Sequence, residues 1–179
     1  MRLQQWKTNG WLQAHQTTPA QIADLLAIVE RDLEDSMGEL SPDWQFGIAY
    51  NAELKLCTIL LYASGYRPEK NLAHYRTLAA LPIILGNERK DDADYLDTCR
   101  SKRNTAEYDT AGTVSRSEAD ELRAFTKELR TDVIAWLKAN HPTLITSKHG
   151  GAAFSESSKP AAPHPALSHS SVSPATTSG

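Results

Sequence analysis

The densest set of chemically capable side chains in this sequence lies in Asp97-Thr98-Cys99-Arg100-Ser101-Lys102-Arg103-Asn104-Thr105-Ala106-Glu107-Tyr108-Asp109. Three cations, Arg100, Lys102 and Arg103, fall within four residues, and Asn104, Glu107 and Tyr108 follow. On a helix, Arg103 and Glu107 are one turn apart and can pair, as can Arg100 and Asn104. A guanidinium is planar and donates two parallel hydrogen bonds, which suits a phosphate. The group therefore reads as a phosphate- or RNA-binding face built on Arg100, Lys102 and Arg103. The plain alternative is an Arg103 paired with Glu107 or Asp109 that orients the helix end, beside a solvated charged face. On a two-fold dimer the same cations would be doubled across one groove and would raise local RNA affinity.

His74 and Arg76 form a secondary candidate, because His74 is an imidazole that could move a proton near neutral pH. Asp91, Asp92, Asp94 and Asp97 have neither the glycine turn nor the closing glutamate of a calcium loop. They fit a helix N-terminus, where the macrodipole favours carboxylates. His149, His164 and His169 are too scattered to ligate a metal. No metal and no cofactor is expected.

These groups must be positioned by helices. Thr18-Pro19 is a start signal, and Ile22, Leu25, Leu26, Val29 and Leu33 recur at helical spacing up to Gly38. Ser41-Pro42 opens a second helix whose stripe runs through Trp44, Ile48, Ala49, Ala52, Leu56, Cys57, Leu60 and Ala63 to Gly65; it should be the most buried. A third places Leu72, Tyr75, Leu78 and Ala79 inward and is kinked or ended by Pro82. The fourth begins near Asp91 to Asp94 and aligns Tyr95, Leu96, Cys99 and Ala106, with Arg103 as a cation on the apolar stripe. The fifth follows two overlapping capping signals at Ser115 and Ser117 and carries Leu122, Phe125, Leu129, Val133, Trp136 and Leu137 up to Asn140-His141-Pro142.

The opening segment, Leu3 to about Gln16, reads as a short helix or turn. No alternating strand pattern is visible. Trp6, Trp11, Trp44 and Trp136 read as core or interface anchors. The fold class is accordingly all-α, an up-and-down bundle of four to five helices. Residues 1–17 form the leading segment, 18–142 the bundle and 143–179 a disordered, low-complexity tail rich in Ser, Ala, Pro and Thr.

This order of helices, with Arg103-Asn104-Thr105-Ala106-Glu107-Tyr108 in the penultimate long one, resembles the HEPN family. So do Asp43 to Asn51, Gly65-Tyr66-Arg67-Pro68 and His74-Tyr75-Arg76. The resemblance spans roughly Pro19 to Leu137. HEPN domains are helical bundles, many with an Arg, four to six residues, then a His. It implies a ribonuclease cleft shared by two subunits, in which Arg103 would hold the scissile phosphate. The family's His falls at Tyr108. An ordinary tyrosine titrates near pH 10 and is a poor base at neutral pH, although it can donate a hydrogen bond or stack on a base.

The resemblance therefore implies a homodimeric binding module with a degenerate catalytic motif. Its implied partners are RNA or another protein, such as a nucleotidyltransferase in a toxin–antitoxin or defence pair. One alternative is a metal-independent endoribonuclease using Arg103, Asn104 and Tyr108. The other is a structural interaction bundle recognised through Glu30, Asp32, Glu34 and Asp35.

The net charge of −3 provides no global attraction for nucleic acid, so any such site must be local. Cys57 and Cys99 sit in apolar patterns and read as buried free thiols. With no apolar run of signal or membrane-spanning length, a cytoplasmic protein without membrane association is expected.

Overall fold

The computed structural model describes residues 2–145, with the side chains of Tyr108 and Asp109 outside the described set. Of the expected disordered tail, residues 143–145 are described and the remainder lies outside the described residues.

The chain is an all-α bundle. Its long helices are α2 (Pro19–Asp35), α3 (Pro42–Ala63), α6 (Lys90–Asn104) and α7 (Arg116–Asn140). Shorter α1 (Leu3–Thr8), α4 (Ala73–Ala79) and α5 (Leu81–Leu85) flank them. A π-helical turn, Thr105–Asp109, continues α6, and a 3₁₀ turn at Pro142–Leu144 follows α7.

Local chemistry sets the helix starts. Thr18 accepts a hydrogen bond from the Gln21 N–H at 3.2 Å, and Pro19 occupies the first turn of α2, where no amide donor is needed. Of the two overlapping capping signals before α7, the chain uses the first: Ser115 and Glu118 cap each other's backbone. Lys102 reaches across from α6 to the same Glu118 carboxylate. That ammonium, with the Ser115 donors, holds the carboxyl down to about 2.

The second helix of the sequence reading, α3, is the axis of the core and packs against both α2 and α7. Ala49, Ala52, Leu56, Ile59 and Leu60 are buried on successive faces, as a helix enclosed by neighbours requires. Each large apolar side chain buried this way contributes about 1.5–3 kcal/mol. Cys57 and Cys99 are buried free thiols.

Three expectations are corrected. First, the chain does contain strands: β1 (Leu12–Ala14) and β2 (Tyr66–Pro68) pair antiparallel, with Leu12 opposite Pro68 and Ala14 opposite Tyr66. Three-residue strands are too short to show an alternating pattern, and Pro68 sits at the ribbon's end, where its missing donor does little harm. The ribbon lays Trp6 and Leu12 over Leu61 and Ala80 as a second small core.

As Pro82 predicts, the third helix is broken: it is two pieces, α4 and α5, divided at Ala80 just ahead of that proline. Second, Leu72 and Tyr75 do not face inward; they are 58% and 44% exposed, whereas Leu78 is buried as expected, together with Thr77 and Leu81. Third, Trp44 does not join the buried stripe of α3, and of the two roles expected for it and Trp11, core or interface anchor, the core role is ruled out. Trp44 is 66% exposed at the start of α3, and Trp11 is 36% exposed beyond the α1 turn. Trp6 is buried and Trp136 packs partly against the core, its ring against His141.

Candidate functional site

Arg103 stands on the last turn of α6, immediately before the π-helical turn. Its side chain is about a quarter exposed, and its Nη2 lies 2.5 Å from Glu107 Oε2. The pair spans the junction between the α-helical and π-helical segments, so the expected one-turn pairing is present. Asn104 adds a long contact, Arg103 Nη1 to Asn104 Oδ1 at 3.4 Å. Tyr108 belongs to the same turn by its backbone; the roles expected of its hydroxyl lie outside the described residues.

Arg103 and Glu107 open into a cleft of about 460 Å³, completed by the end of α2 and the start of α3. From α2 come Arg31, Asp32 and Asp35; from α3 come Asp43, Trp44, Ile48 and Asn51. Asp32 is buried, and its carboxylate is gripped by Arg31 Nε at 2.9 Å, by Arg31 Nη2 at 2.7 Å and by the Asn51 amide. Asp43 accepts the backbone N–H groups of Gly112 at 2.5 Å and Val114 at 2.9 Å. That arrangement fixes the loop which closes the cleft between the π-helical turn and α7. Asp35 is exposed and has no ion pair among the described residues.

The sign of this cleft differs from the expectation of a phosphate site. Four carboxylates, Asp32, Asp35, Asp43 and Glu107, line it against two guanidinium groups, Arg31 and Arg103. A phosphate entering here would displace Glu107 from Arg103 and meet an excess of negative charge.

The other sequence candidates are dispersed. Arg100 is held by Asp97 at 2.7 Å, and Lys102 by Glu118. Arg100, Lys102 and Arg103 are thus each neutralised by a carboxylate of the same chain.

His74 is exposed on α4, and partial burial together with the charges of Arg103, Lys55 and Arg100 lowers its pKa. Its imidazole is therefore kept neutral near this group of cations. Arg76 points elsewhere, over the Trp11 ring at 5.6 Å. Of the acidic stretch on α2, Asp32 is buried and Glu30 pairs with Arg130 at 2.5 Å, which leaves Glu34 and Asp35 exposed without an ion pair among the described residues.

Sequence reasoning missed Asp43, Asn51 and the exposed Trp44 as site residues. They come from a helix start some sixty residues before Arg103, and no local pattern links the two.

A buried polar pair also lies on α3. The Tyr50 hydroxyl and Glu53 Oε2 are buried without a hydrogen-bond partner among the described residues. Glu53 Oε1 accepts the Cys57 thiol at 3.1 Å. Burial pushes the Glu53 carboxyl up to about 8, so it is largely protonated at neutral pH, and burial together with Glu53 pushes the Cys57 thiol up as well.

No protein-family model, curated protein or solved structure matches this chain. The site must therefore be read from its own geometry. Among the described residues, no helix is long and apolar enough to cross a membrane, and no cluster of three His, Cys, Asp or Glu side chains is arranged to hold a metal.

Proposed function

We propose that this chain is a HEPN-like binding module without nuclease activity, and that the cleft beside Arg103 receives a segment of a partner protein. The excess of carboxylates around an already paired Arg103 carries this reading. Such a cleft repels a polyanion and attracts a lysine or arginine side chain.

Trp44, which lines the cleft, is 66% exposed; Met37 and Leu40, in the loop before α3, are 52% and 41% exposed. An exposed tryptophan beside carboxylates offers a face for a cation and an anchor for an apolar neighbour. The π-helical turn that shapes the cleft is a local irregularity of a kind that clusters at functional sites. The Tyr at the position of the family's His supports a binding role over catalysis.

Panning a library of twelve-residue peptides against the purified protein tests this reading. Enriched peptides should carry Arg or Lys next to an apolar residue and lose binding to Asp35→Lys and to Trp44→Ala. Enrichment of acidic peptides, or binders indifferent to both substitutions, would overturn it. The endoribonuclease alternative makes the opposite demand: metal-free cutting of RNA by the wild type that disappears in Arg103→Ala.

A further inference from the structure

A second cleft, of about 610 Å³, lies between the turn after α1 and the segment joining β2 to α4. Trp11, Gln13, Arg67, Lys70, Asn71 and Arg76 line it, with Glu69 as the one carboxylate. Glu69 is engaged by the Gln13 side-chain amide. Arg67 directs Nε and Nη2 to Gln13 Oε1 at 3.2 and 2.9 Å, and Arg76 Nη1 donates to the Asn71 carbonyl at 3.0 Å.

None of these three cations makes a salt bridge among the described residues. Arg31, Arg89, Arg100, Lys102, Arg103, Arg123 and Arg130 all do. Three cations thus face a single carboxylate here, whereas Arg100, Lys102 and Arg103 on α6 are each paired with one.

The aromatic part is equally specific. Trp11 is 36% exposed and meets Trp6 in a T-shaped arrangement, with ring centroids 5.7 Å apart and planes at 70°. The Arg76 guanidinium lies over it. A flat ring layered with a guanidinium and flanked by unneutralised cations is suited to stack a base while binding the phosphates on either side. The adjoining loop is under strain. Leu72, a bulky residue 58% exposed, has φ 54° and ψ 30°, a left-handed conformation that persists only where surrounding structure enforces it.

We infer that this cleft binds a short run of single-stranded nucleic acid, with one base stacked at Trp11 and Arg76 and the neighbouring phosphates on Arg67 and Lys70. The site is separate from the acidic cleft, and it uses none of the cations of α6.

Fluorescence anisotropy of a fluorescein-labelled decauridylate, titrated with the full-length protein, tests this assignment. Binding should weaken with salt, with a log–log slope of about −2 for roughly three phosphate contacts. Lys70→Glu combined with Arg67→Glu should weaken binding at least about tenfold through lost charge. Trp11→Phe should nearly preserve affinity, and Trp11→Leu should lose about tenfold through lost stacking.

Lys70 is exposed and makes no hydrogen bond or ion pair among the described residues, so Lys70→Glu alone removes the charge without breaking such a bond. Arg103→Ala and Asp35→Lys should leave the titration unchanged. The assignment fails if decauridylate does not bind in 50 mM salt (about the low-salt regime in which such contacts are strong). It also fails if Lys70→Glu binds like the wild type, or if decaglutamate competes as well as decauridylate.

Discussion

The Asp43 carboxylate accepts the backbone N–H of Val114 at 2.9 Å, joining the first turn of α3 to a loop 71 residues further along the chain. The same carboxylate takes the N–H of Gly112 at 2.5 Å. Two donors that no helix or strand satisfies are thereby paired, and the wall of the acidic cleft is fixed. Asp43→Ala should cost about 2 kcal/mol, because it removes two charge-assisted bonds and leaves the partly buried Val114 amide without its partner. Urea denaturation measures the cost. A loss within error of zero would mean that the loop holds its place without the carboxylate.

The buried Glu53 carboxyl, at about 8, sits above the ordinary glutamate value of 4.5. The folded chain therefore keeps a proton that the unfolded chain releases. The stability tied to this group is complete below about pH 4.5 and is lost as pH rises towards about 8. The steepest decline is about 1.4 kcal/mol per pH unit. Wild type should be less stable at pH 8 than at pH 5, and Glu53→Gln should flatten that difference. Parallel pH dependences in urea titrations of the two proteins would remove Glu53 as the cause.

Removing the Tyr50 hydroxyl deletes a buried polar atom that has no partner. Tyr50→Phe should leave the fold as stable as the wild type or raise its stability by up to about 1 kcal/mol. A substantial fall in Tm would mean that the hydroxyl is satisfied in solution.

Leu72 combines left-handed backbone with an exposed side chain, so replacing it sacrifices little packing. Asparagine tolerates this conformation better than leucine does. Leu72→Asn should stabilise the chain by about 0.5–1 kcal/mol, read from thermal melts. If the melting temperature drops, Leu72 is not strained in solution.

Elements that announce themselves locally were legible in the sequence, and those defined by distant contacts were not. The Thr18-Pro19 and Ser115 caps mark α2 and α7 because a cap is a matter of three or four adjacent residues. The pairing of Arg103 with Glu107 was legible for the same reason. The β1–β2 ribbon was hidden, because Leu12 and Pro68 pair across 56 positions and each strand is only three residues long.

Trp44 was read as inward because the stripe on α3 is broad, and a position at the N-terminal end of such a helix projects past the neighbours that cover its middle. The acid-rich character of the Arg103 cleft could not be seen, since Asp35 and Asp43 meet it only through the packing of α2 and α3.

The β1–β2 ribbon also has a consequence for the order of events in folding. Joining Leu12 to Pro68 closes a long loop whose entropic cost must be met before its few hydrogen bonds form, so α2, α3 and α7 can pack while this end of the chain is still open. Trp11 and Arg67 belong to opposite sides of that clasp. A strand bound between them would act as a fastener, slowing amide exchange at Gln13 and Ala14 selectively while leaving the centre of α3 untouched.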